Sequence, residues 1–181
     1  MKFLQKTKKS LGQNFLIDNN IINKIIEIGN VYNKTVMEIG AGYGNLTEAI
    51  ISKSPKKIIA VEKDKKLASI LEKKFKNYKN LKIINRDILN IIDEKNLEHN
   101  MVVFGNLPYN ISTKILASLI MLKNWPPWYD VLILMFQKEV ADRILAKNQT
   151  KEFSRLTILS NWRLEIKKHF NVSKNCFFPK P

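Results

Sequence analysis

Residues 36–47 have the sequence V-M-E-I-G-A-G-Y-G-N-L-T, with glycine at alternate positions: Gly40, Gly42 and Gly44. A mostly apolar run at 35–39 leads into these glycines and a second run at 46–51 follows them, which predicts a strand, a tight turn and a helix. Glycines at such a turn let the backbone approach a bound ligand and let the helix pack close to the strand. The stretch therefore predicts an α/β fold with a ligand site at the turn.

An acidic residue stands where a nucleoside site needs one. Glu62 directly follows the next predicted strand, 57–61, about 20 residues after the turn, where acidic side chains hydrogen-bond ribose hydroxyls. The pattern is E-x-G-x-G-x-G, opened by Glu38, and not the G-x-G-x-x-G of dinucleotide-binding sheets. It resembles motif I of class I S-adenosylmethionine-dependent methyltransferases, which bind an adenosyl group without a pyrophosphate. A tight turn without a ligand is the alternative interpretation.

Further along the chain, helical and strand patterns alternate. Alternating strands and helices are typical of βαβ units, so a doubly wound, mostly parallel sheet is expected, with strands 58–61, 101–104 and 131–136 covered on both faces. The sequence predicts helices at 21–29, 65–75, 111–122, 139–146 and 153–162, strands at 81–84, 101–104 and 131–136, and a weaker last strand at 164–172.

The charge balance is strongly basic. The chain has 31 Lys and Arg against 16 Asp and Glu, a formal net charge of +15 over 181 residues. One domain of ordinary globular composition is expected, and such a field favours nucleic acid as partner before an anionic membrane. The alternative is compositional drift, because all but four of the basic residues are Lys and the chain is rich in Ile and Asn, as A/T-rich coding would produce.

Several classes of protein are excluded by what the chain lacks. Cys176 is the single cysteine, which excludes an internal disulfide and a multi-cysteine zinc site, and two histidines leave little material for metal or histidine catalysis. The longest nearly apolar run, 115–122, is far shorter than the roughly 20 residues of a membrane span. Residues 1–10 hold four Lys but no apolar core, unlike a secretory signal. A cytoplasmic monomer without a metal is expected.

Two further motifs follow predicted strands. Asp87 comes after strand 81–84, where a carboxylate can accept a hydrogen bond from an adenine amine; a helix cap is the alternative role.

The fourth strand is followed by the motif G-N-L-P-Y-N-I-S-T at 105–113. Methylation of an exocyclic amine needs acceptors for its N–H bonds, such as the Asn106 amide oxygen, and a ring such as Tyr109 can stack on the base. Pro108 lacks an N–H and stiffens the turn; a plain strand-ending turn is the alternative.

Five ordered motifs together identify a family resemblance. The motifs are K-S-L-G-Q-N-F-L-I-D at 9–18, E-I-G-A-G-Y-G-N-L-T at 38–47, V-E-K-D at 61–64, N-L-P-Y-N-I-S-T at 106–113 and F-Q-K-E-V at 136–140. This set resembles the ribosomal RNA adenine dimethyltransferases over essentially the whole chain, and in particular those that act on two adjacent adenosines near the 3′ end of small-subunit ribosomal RNA. The erythromycin-resistance methyltransferases of large-subunit RNA are near relatives.

The resemblance implies a role for each matching residue. Gln13, Asn14 and Leu16 would contact S-adenosyl-L-methionine from the N-terminal segment 1–30, with Gly40 and Gly42 under its methionine part, Glu62 on the ribose and Asp87 on the adenine. Asn106 would serve both the cofactor and the target amine, with the Leu107 carbonyl as second acceptor, and Tyr109 would stack on the target base. Phe177, in F-F-P-K-P at 177–181, matches an F-x-P-x-P element whose aromatic closes the other face of that base; a buried strand-end ring is the alternative.

The sequence departs from the family in two places. Position 41 is Ala where many members have Pro, which keeps the turn small. Members continue beyond F-x-P-x-P into another strand and a helical C-terminal domain that helps to seat the enzyme on RNA, whereas this chain stops at Pro181. We therefore expect a methyltransferase domain over 1–181, a sheet edge exposed beside 164–172, and cofactor binding that survives better than RNA selection.

The resulting hypothesis is an S-adenosylmethionine-dependent enzyme that dimethylates adenosine N6 in small-subunit ribosomal RNA during ribosome biogenesis. Two alternatives stay open at this point: a large-subunit RNA adenine methyltransferase of the antibiotic-resistance type, and an RNA-binding assembly factor without catalysis. The intact set of Glu62, Asp87, Asn106 and Tyr109 argues against the second alternative.

Overall fold

The structure is a computed structural model that describes residues 13–94 and 96–181. The first part of the predicted basic segment, residues 1–12, lies outside the described residues. In chain order the elements are β1 (Phe15–Leu16), α1 (Asn19–Gly29), β2 (Thr35–Ile39), α2 (Asn45–Ser52), β3 (Lys57–Val61), α3 (Lys65–Lys74), β4 (Leu81–Ile84), β5 (Met101–Asn106), α4 (Ser112–Ile120), β6 (Tyr129–Met135), α5 (Lys138–Ile144), α6 (Arg155–Arg163) and β7 (Phe177–Phe178).

A five-stranded parallel sheet forms the centre of the molecule, with strand order β4-β3-β2-β5-β6. The chain order reverses between β2 and β5, and open α/β sheets bind ligands at such a switch point, outside the carboxyl ends of the strands. In the register, Glu38 of β2 lies between Ala60 of β3 and Phe104 of β5. The strand pairing therefore brings the carboxyl ends of β2, β3 and β5 to one edge of the sheet.

Helices cover both faces of the sheet, as the sequence predicts. On one face Ile58, Val102 and Phe104 pack with apolar residues of α1 and α2. On the other face the alternate residues Ile59 and Val103 pack with α4. Alternate side chains of a strand point to opposite faces, so β3 and β5 present apolar residues to both layers of helices. This arrangement confirms the doubly wound α/β prediction.

Local sequence signals fix where the helices begin. Asp18 Oδ1 accepts hydrogen bonds from the backbone N–H groups of Asn20 (2.9 Å) and Ile21 (3.0 Å), which caps α1. Asp64 caps α3 by accepting from the N–H of Lys66 at 2.9 Å. These carboxylates satisfy backbone donors that the first turn of a helix leaves without an intrahelical partner.

The predictions for the last part of the chain need one correction. Residues 164–172 form no strand, so that prediction is wrong. Instead of pairing beside β6, the segment packs Leu164 and Ile166 against the cluster formed by α4, α5 and α6. β6 lies at the edge of the sheet and is only partly covered: Val131 is 40% exposed. Its alternate residues still pack on the two opposite faces, Leu132 and Leu134 on one and Ile133 and Met135 on the other, each half-buried. An edge strand has a neighbour on one side only, which leaves part of its surface open.

A small second sheet joins the beginning of the described chain to its end. β1 and β7 pair antiparallel, with Phe15 opposite Phe178 and Leu16 opposite Phe177. The Ile17 N–H also donates to the Cys176 carbonyl at 2.8 Å. Among the described residues, no helix has the length and apolar character that a membrane crossing requires.

Candidate active site

The cleft beside the glycine turn lies at the carboxyl ends of β2 and β5. Leu16, Gly40 and Asn106, three of the residues that the family resemblance assigns to the site, line it directly. The full lining is Phe15, Leu16, Glu38, Gly40, Ala41, Tyr43, Asn45, Leu46, Asn106 and Met135.

The glycine turn has the backbone conformation that the motif predicts. Gly40 and Gly42 have φ values of +76° and +58°, in the left-handed region that favours glycine. A Cβ on Gly42 would lie 2.8 Å from the Phe15 ring, whereas a Cβ on Gly40 would meet only the Asn106 carbonyl oxygen, at 3.8 Å. The turn is therefore packed under Phe15 and open toward Asn106.

Glu62 occupies the position at the end of β3 that was predicted for a ribose ligand. Its Oε2 accepts from the Gly42 N–H and its Oε1 from the Asp64 N–H, both at 2.8 Å. Burial raises the pKa of Glu62, while these backbone hydrogen bonds act in the opposite direction. Each carboxylate oxygen has a second lone pair, so the side chain can still accept from a pair of hydroxyl groups.

Asp87 follows β4 at the same edge of the sheet, and it has two partners. Its Oδ2 accepts from Lys63 Nζ at 2.8 Å, and its Oδ1 accepts from the Leu89 N–H at 3.0 Å. Burial alone would raise the pKa of Asp87, but the bonds from Lys63 and Leu89 outweigh it and lower the pKa. Asp87 thus caps the turn after β4, as the alternative role predicts, and its pKa is lowered. Its hydrogen bond to an adenine amine stays a prediction.

Asn106 is held by an interaction between distant segments. Its Nδ2 donates to the backbone carbonyl of Asn14 at 2.7 Å. Because a carbonyl can only accept, this bond identifies the nitrogen of the amide, and the amide oxygen is left as an acceptor at the cleft. Asn14 therefore meets the cleft residue Asn106 through its backbone carbonyl, and its predicted contact with a cofactor stays a prediction.

The residues after Asn106 form a compact turn. Leu107 is buried, and the Ile111 N–H donates to the Pro108 carbonyl at 3.1 Å. Burial raises the pKa of the Tyr109 phenol, so this ring is neutral at physiological pH. Tyr109 lies three residues from the amide that lines the cleft, and the turn joins the two.

The segment around β1 is tied to the glycine turn and to β7. Asn45 Nδ2 donates to the Leu16 carbonyl at 2.8 Å, and the rings of Phe15 and Tyr43 meet edge to face with centroids 4.7 Å apart. Phe177 is 7% exposed and packs in the core beside Leu16, as the buried-ring alternative predicts. Its stacking on a target base stays a prediction. Gln13 is half-buried and does not line the cleft.

Several residues of the site were not assigned roles from the sequence, among them Glu38, Lys63 and Asn45. Glu38 lines the cleft, and its place at the head of the glycine motif is the signal that could have found it. Lys63 and Asn45 act through partners that are 24 and 29 residues away in the sequence. A single sequence does not show such pairs. Among the described residues, no group of three or more His, Cys, Asp or Glu side chains could hold a metal ion.

Residues 4–181 match the family model described as Ribosomal RNA adenine dimethylase. The chain belongs to this family. Curated relatives agree: a protein of Pelagibacter ubique named Ribosomal RNA small subunit methyltransferase A is 49% identical over 97% of this chain. A protein with the same name from Wolbachia pipientis wMel is 42% identical over 99% of the chain. The alignments cover 66% and 63% of these two relatives, so the chain spans just under two thirds of their length.

Solved structures place the fold in the same group. A dimethyladenosine transferase from Plasmodium falciparum matches with a TM-score of 0.79 and 32% identity, covering 92% of this chain and 59% of that one. The 23S rRNA methyltransferase ErmE matches with a TM-score of 0.75 at 24% identity, covering 92% and 65%, and this likeness concerns the fold alone. The predicted Rossmann-like class I methyltransferase fold is confirmed.

The residues along the carboxyl edge of the sheet, from the cleft to β4, fit an adenosyl sulfonium cofactor. Glycines with positive φ leave the turn open toward Asn106, and carboxyl groups end the two neighbouring strands β3 and β4 at Glu62 and Asp87. A ligand with a methionine part at the turn, a ribose at Glu62 and an adenine at Asp87 would follow this order, and these three contacts stay predictions. A pyrophosphate is not part of this match, because the motif has the E-x-G-x-G-x-G spacing.

Proposed function

We propose that the protein transfers methyl groups from S-adenosyl-L-methionine to the exocyclic N6 of two adjacent adenosines near the 3′ end of small-subunit ribosomal RNA, in ribosome biogenesis. The observation that carries this proposal is the fixed amide of Asn106, which borders the cleft beside Gly40. An adenine amine has two N–H donors, and a fixed acceptor beside a methyl donor is what its reaction needs.

The cofactor supplies an electrophilic methyl group on a sulfonium ion. In this chain Gly40 and Gly42 would hold its methionine part, Glu62 would accept hydrogen bonds from its ribose hydroxyls, and Asp87 would accept one from its adenine amine. The burial of Glu62 favours this role, because a hydrogen bond to a buried acceptor is stronger than one to an acceptor in water.

The protein's part in the reaction is mainly to position the amine. The N6 lone pair is delocalised into the adenine ring, so acceptors at the Asn106 amide oxygen and the Leu107 carbonyl would favour a pyramidal nitrogen with its lone pair directed at the methyl carbon. Tyr109 would stack on the base after it leaves its helix. The bound sulfonium would supply the methyl group and leave as a neutral thioether, and the N6 proton, acidic after attack, would pass to water.

Two facts support small-subunit RNA as the partner. The curated relatives at 42–49% identity are named small-subunit methyltransferases, while the likeness to ErmE is at 24%. The net charge of +15 suits a polyanion. The retained Asn106–Tyr109 turn and the carboxyl groups at the strand ends argue against a binding protein without catalysis.

Nucleoside mass spectrometry tests the proposal. Small ribosomal subunits that lack the methyl groups are incubated with the chain and S-adenosylmethionine, with large subunits in a parallel reaction. We expect N6,N6-dimethyladenosine from the small subunits and none from the large ones. Product from the large subunits alone would support the antibiotic-resistance alternative, and binding to subunits without any methylated adenosine would support the assembly factor.

A further inference from the structure

The cleft contains a carboxyl group that the proposed chemistry does not use. Glu38 is 2% exposed and lines the cleft together with Gly40 and Asn106. Its Oε2 accepts a hydrogen bond from Thr47 Oγ1 at 2.5 Å. Among the described residues, Glu38 forms no ion pair within 4.0 Å. A buried carboxylate without a cation is costly, so the group must be neutral or must meet a cation brought by the ligand.

The surroundings of Glu38 favour its neutral form while the cleft holds no cation. Glu62, at the end of β3, opposes its ionisation, and Lys74, in the last turn of α3, favours it. Lys74 is itself paired with Glu48 at 2.7 Å. The nearest side-chain partner of Glu38 is the Thr47 hydroxyl of α2, and the polar side chains that line the cleft with it include Asn106 and Asn45. Burial is the largest influence and raises the pKa of Glu38 to about 8.

The two ligands of this cleft differ in one charge. S-adenosylmethionine has a positive sulfonium, whereas the product of methyl transfer, S-adenosylhomocysteine, has a neutral thioether; the amino-acid part and the nucleoside are common to both. A buried acid in the cleft is therefore stabilised as a carboxylate by the first ligand more than by the second. After transfer, the same group would be left without its counter-charge.

We propose that Glu38 distinguishes the cationic methyl donor from the neutral-sulfur product, by releasing its proton to solvent when the donor binds and taking a proton back after methyl transfer. Glu38 is thus a specificity residue of the cleft that favours exchange of product for fresh donor. This inference rests on the proposed use of S-adenosylmethionine.

Titration calorimetry of the chain at pH 7 in buffers of different ionisation enthalpy tests the inference, since it counts protons released on binding. We expect a clear release with S-adenosylmethionine and a smaller one with S-adenosylhomocysteine. In Glu38→Gln the difference in release between the two ligands should vanish, and the preference for the donor should fall about tenfold. Glu27→Gln, which removes an exposed carboxyl of α1 outside the cleft, is the matched control and should behave like the wild type.

A second measurement needs no variant: between pH 6 and 9 the wild-type ratio of the two dissociation constants should move toward the donor as Glu38 ionises. Equal proton release with the two ligands, or a release difference that persists in Glu38→Gln, would overturn the inference and leave the proposed function intact. Failure of the folded wild type to bind S-adenosylmethionine at all would overturn both.

Discussion

The side chain of Asn106 spans two segments that are 92 residues apart, because its amide nitrogen donates to the Asn14 carbonyl. This bond fixes the orientation of the Asn106 amide, whose oxygen remains available as an acceptor. Sequence reasoning placed Asn106 at the end of a strand and proposed its amide oxygen as acceptor. It did not show what holds the amide, because a backbone carbonyl partner has no residue type to recognise.

Replacement of Asn106 tests the positioning mechanism. Asn106→Ala should lower the rate of methyl transfer by at least about 100-fold, since one acceptor for the amine is lost, while the dissociation constant for S-adenosylmethionine changes only a few-fold. Single-turnover kinetics and calorimetry measure the two quantities separately. Asn110→Ala, four residues on in the same motif, is the control and should keep its rate. A normal rate in Asn106→Ala would contradict the mechanism.

Glu38 also predicts how stability depends on pH. Its pKa is about 8 in the folded protein against an ordinary value of 4.5. Between these values the unfolded chain has lost the proton and the folded chain has kept it, so Glu38 lowers the free energy of unfolding as pH rises from about 5 to 8. In Glu38→Gln this decline should be absent. Urea denaturation across that pH range measures it, and parallel curves for the two proteins would show that Glu38 is ionised in the folded state.

At the scale of elements, the segment around β1 connects three parts of the site. It contacts α2 through Asn45, Asn106 at the end of β5 through the Asn14 carbonyl, and β7 through strand pairing. The sequence predicted neither β1 nor its partner, because two-residue strands give no periodic pattern. The longer strands were predicted within a few residues, since a parallel sheet covered on both faces requires uninterrupted apolar runs.

The Asn45 bond to β1 should matter for cofactor binding. Asn45→Asp keeps the shape of the side chain but cannot donate to the Leu16 carbonyl. We therefore expect weaker binding of S-adenosylmethionine by roughly 5- to 20-fold, in line with the loss of a partly buried hydrogen bond. The rate at saturating cofactor should stay within a few-fold of wild type. Asn19→Asp at the exposed start of α1 is a control. Unchanged affinity in Asn45→Asp would show that the bond does not position β1.

The segment 164–172 shows the limit of pattern reading at this scale. Its apolar residues suggested a strand, but a strand exists only with a neighbour to pair with. Here Leu164 and Ile166 pack against helices instead. The information that decides between these outcomes lies in other parts of the fold, not in the segment.

At the scale of the whole molecule, exposed lysines lie at both edges of the central sheet. Lys65 and Lys66 are exposed at the start of α3, on the carboxyl edge of the sheet where the cleft lies. Lys34 and Lys56 are exposed just before β2 and β3, on the opposite edge. The sequence predicted a polyanion partner from the sum of charges, but only the fold shows which lysines share an edge with the active site.

This difference gives a matched pair of variants. If RNA lies along the carboxyl edge of the sheet, the double variant Lys65→Gln with Lys66→Gln should bind RNA more weakly. The slope of log affinity against log salt should fall by about two. Lys34→Gln with Lys56→Gln removes the same charge from the other edge and should change the slope less. Filter binding of small-subunit RNA over a salt series measures both. Equal losses of RNA affinity in the two double variants would mean that the lysines attract RNA through the net charge alone, whichever edge they occupy.

The central claim is dimethylation of two adjacent adenosines near the 3′ end of small-subunit RNA, and the mass of that RNA's 3′-terminal nuclease fragment tests it most directly. After incubation of unmethylated small subunits with the chain and S-adenosylmethionine, we predict that this fragment gains the mass of two methyl groups on each of the two adenosines. A fragment of unchanged mass, while methyl groups appear elsewhere in ribosomal RNA, would contradict the account.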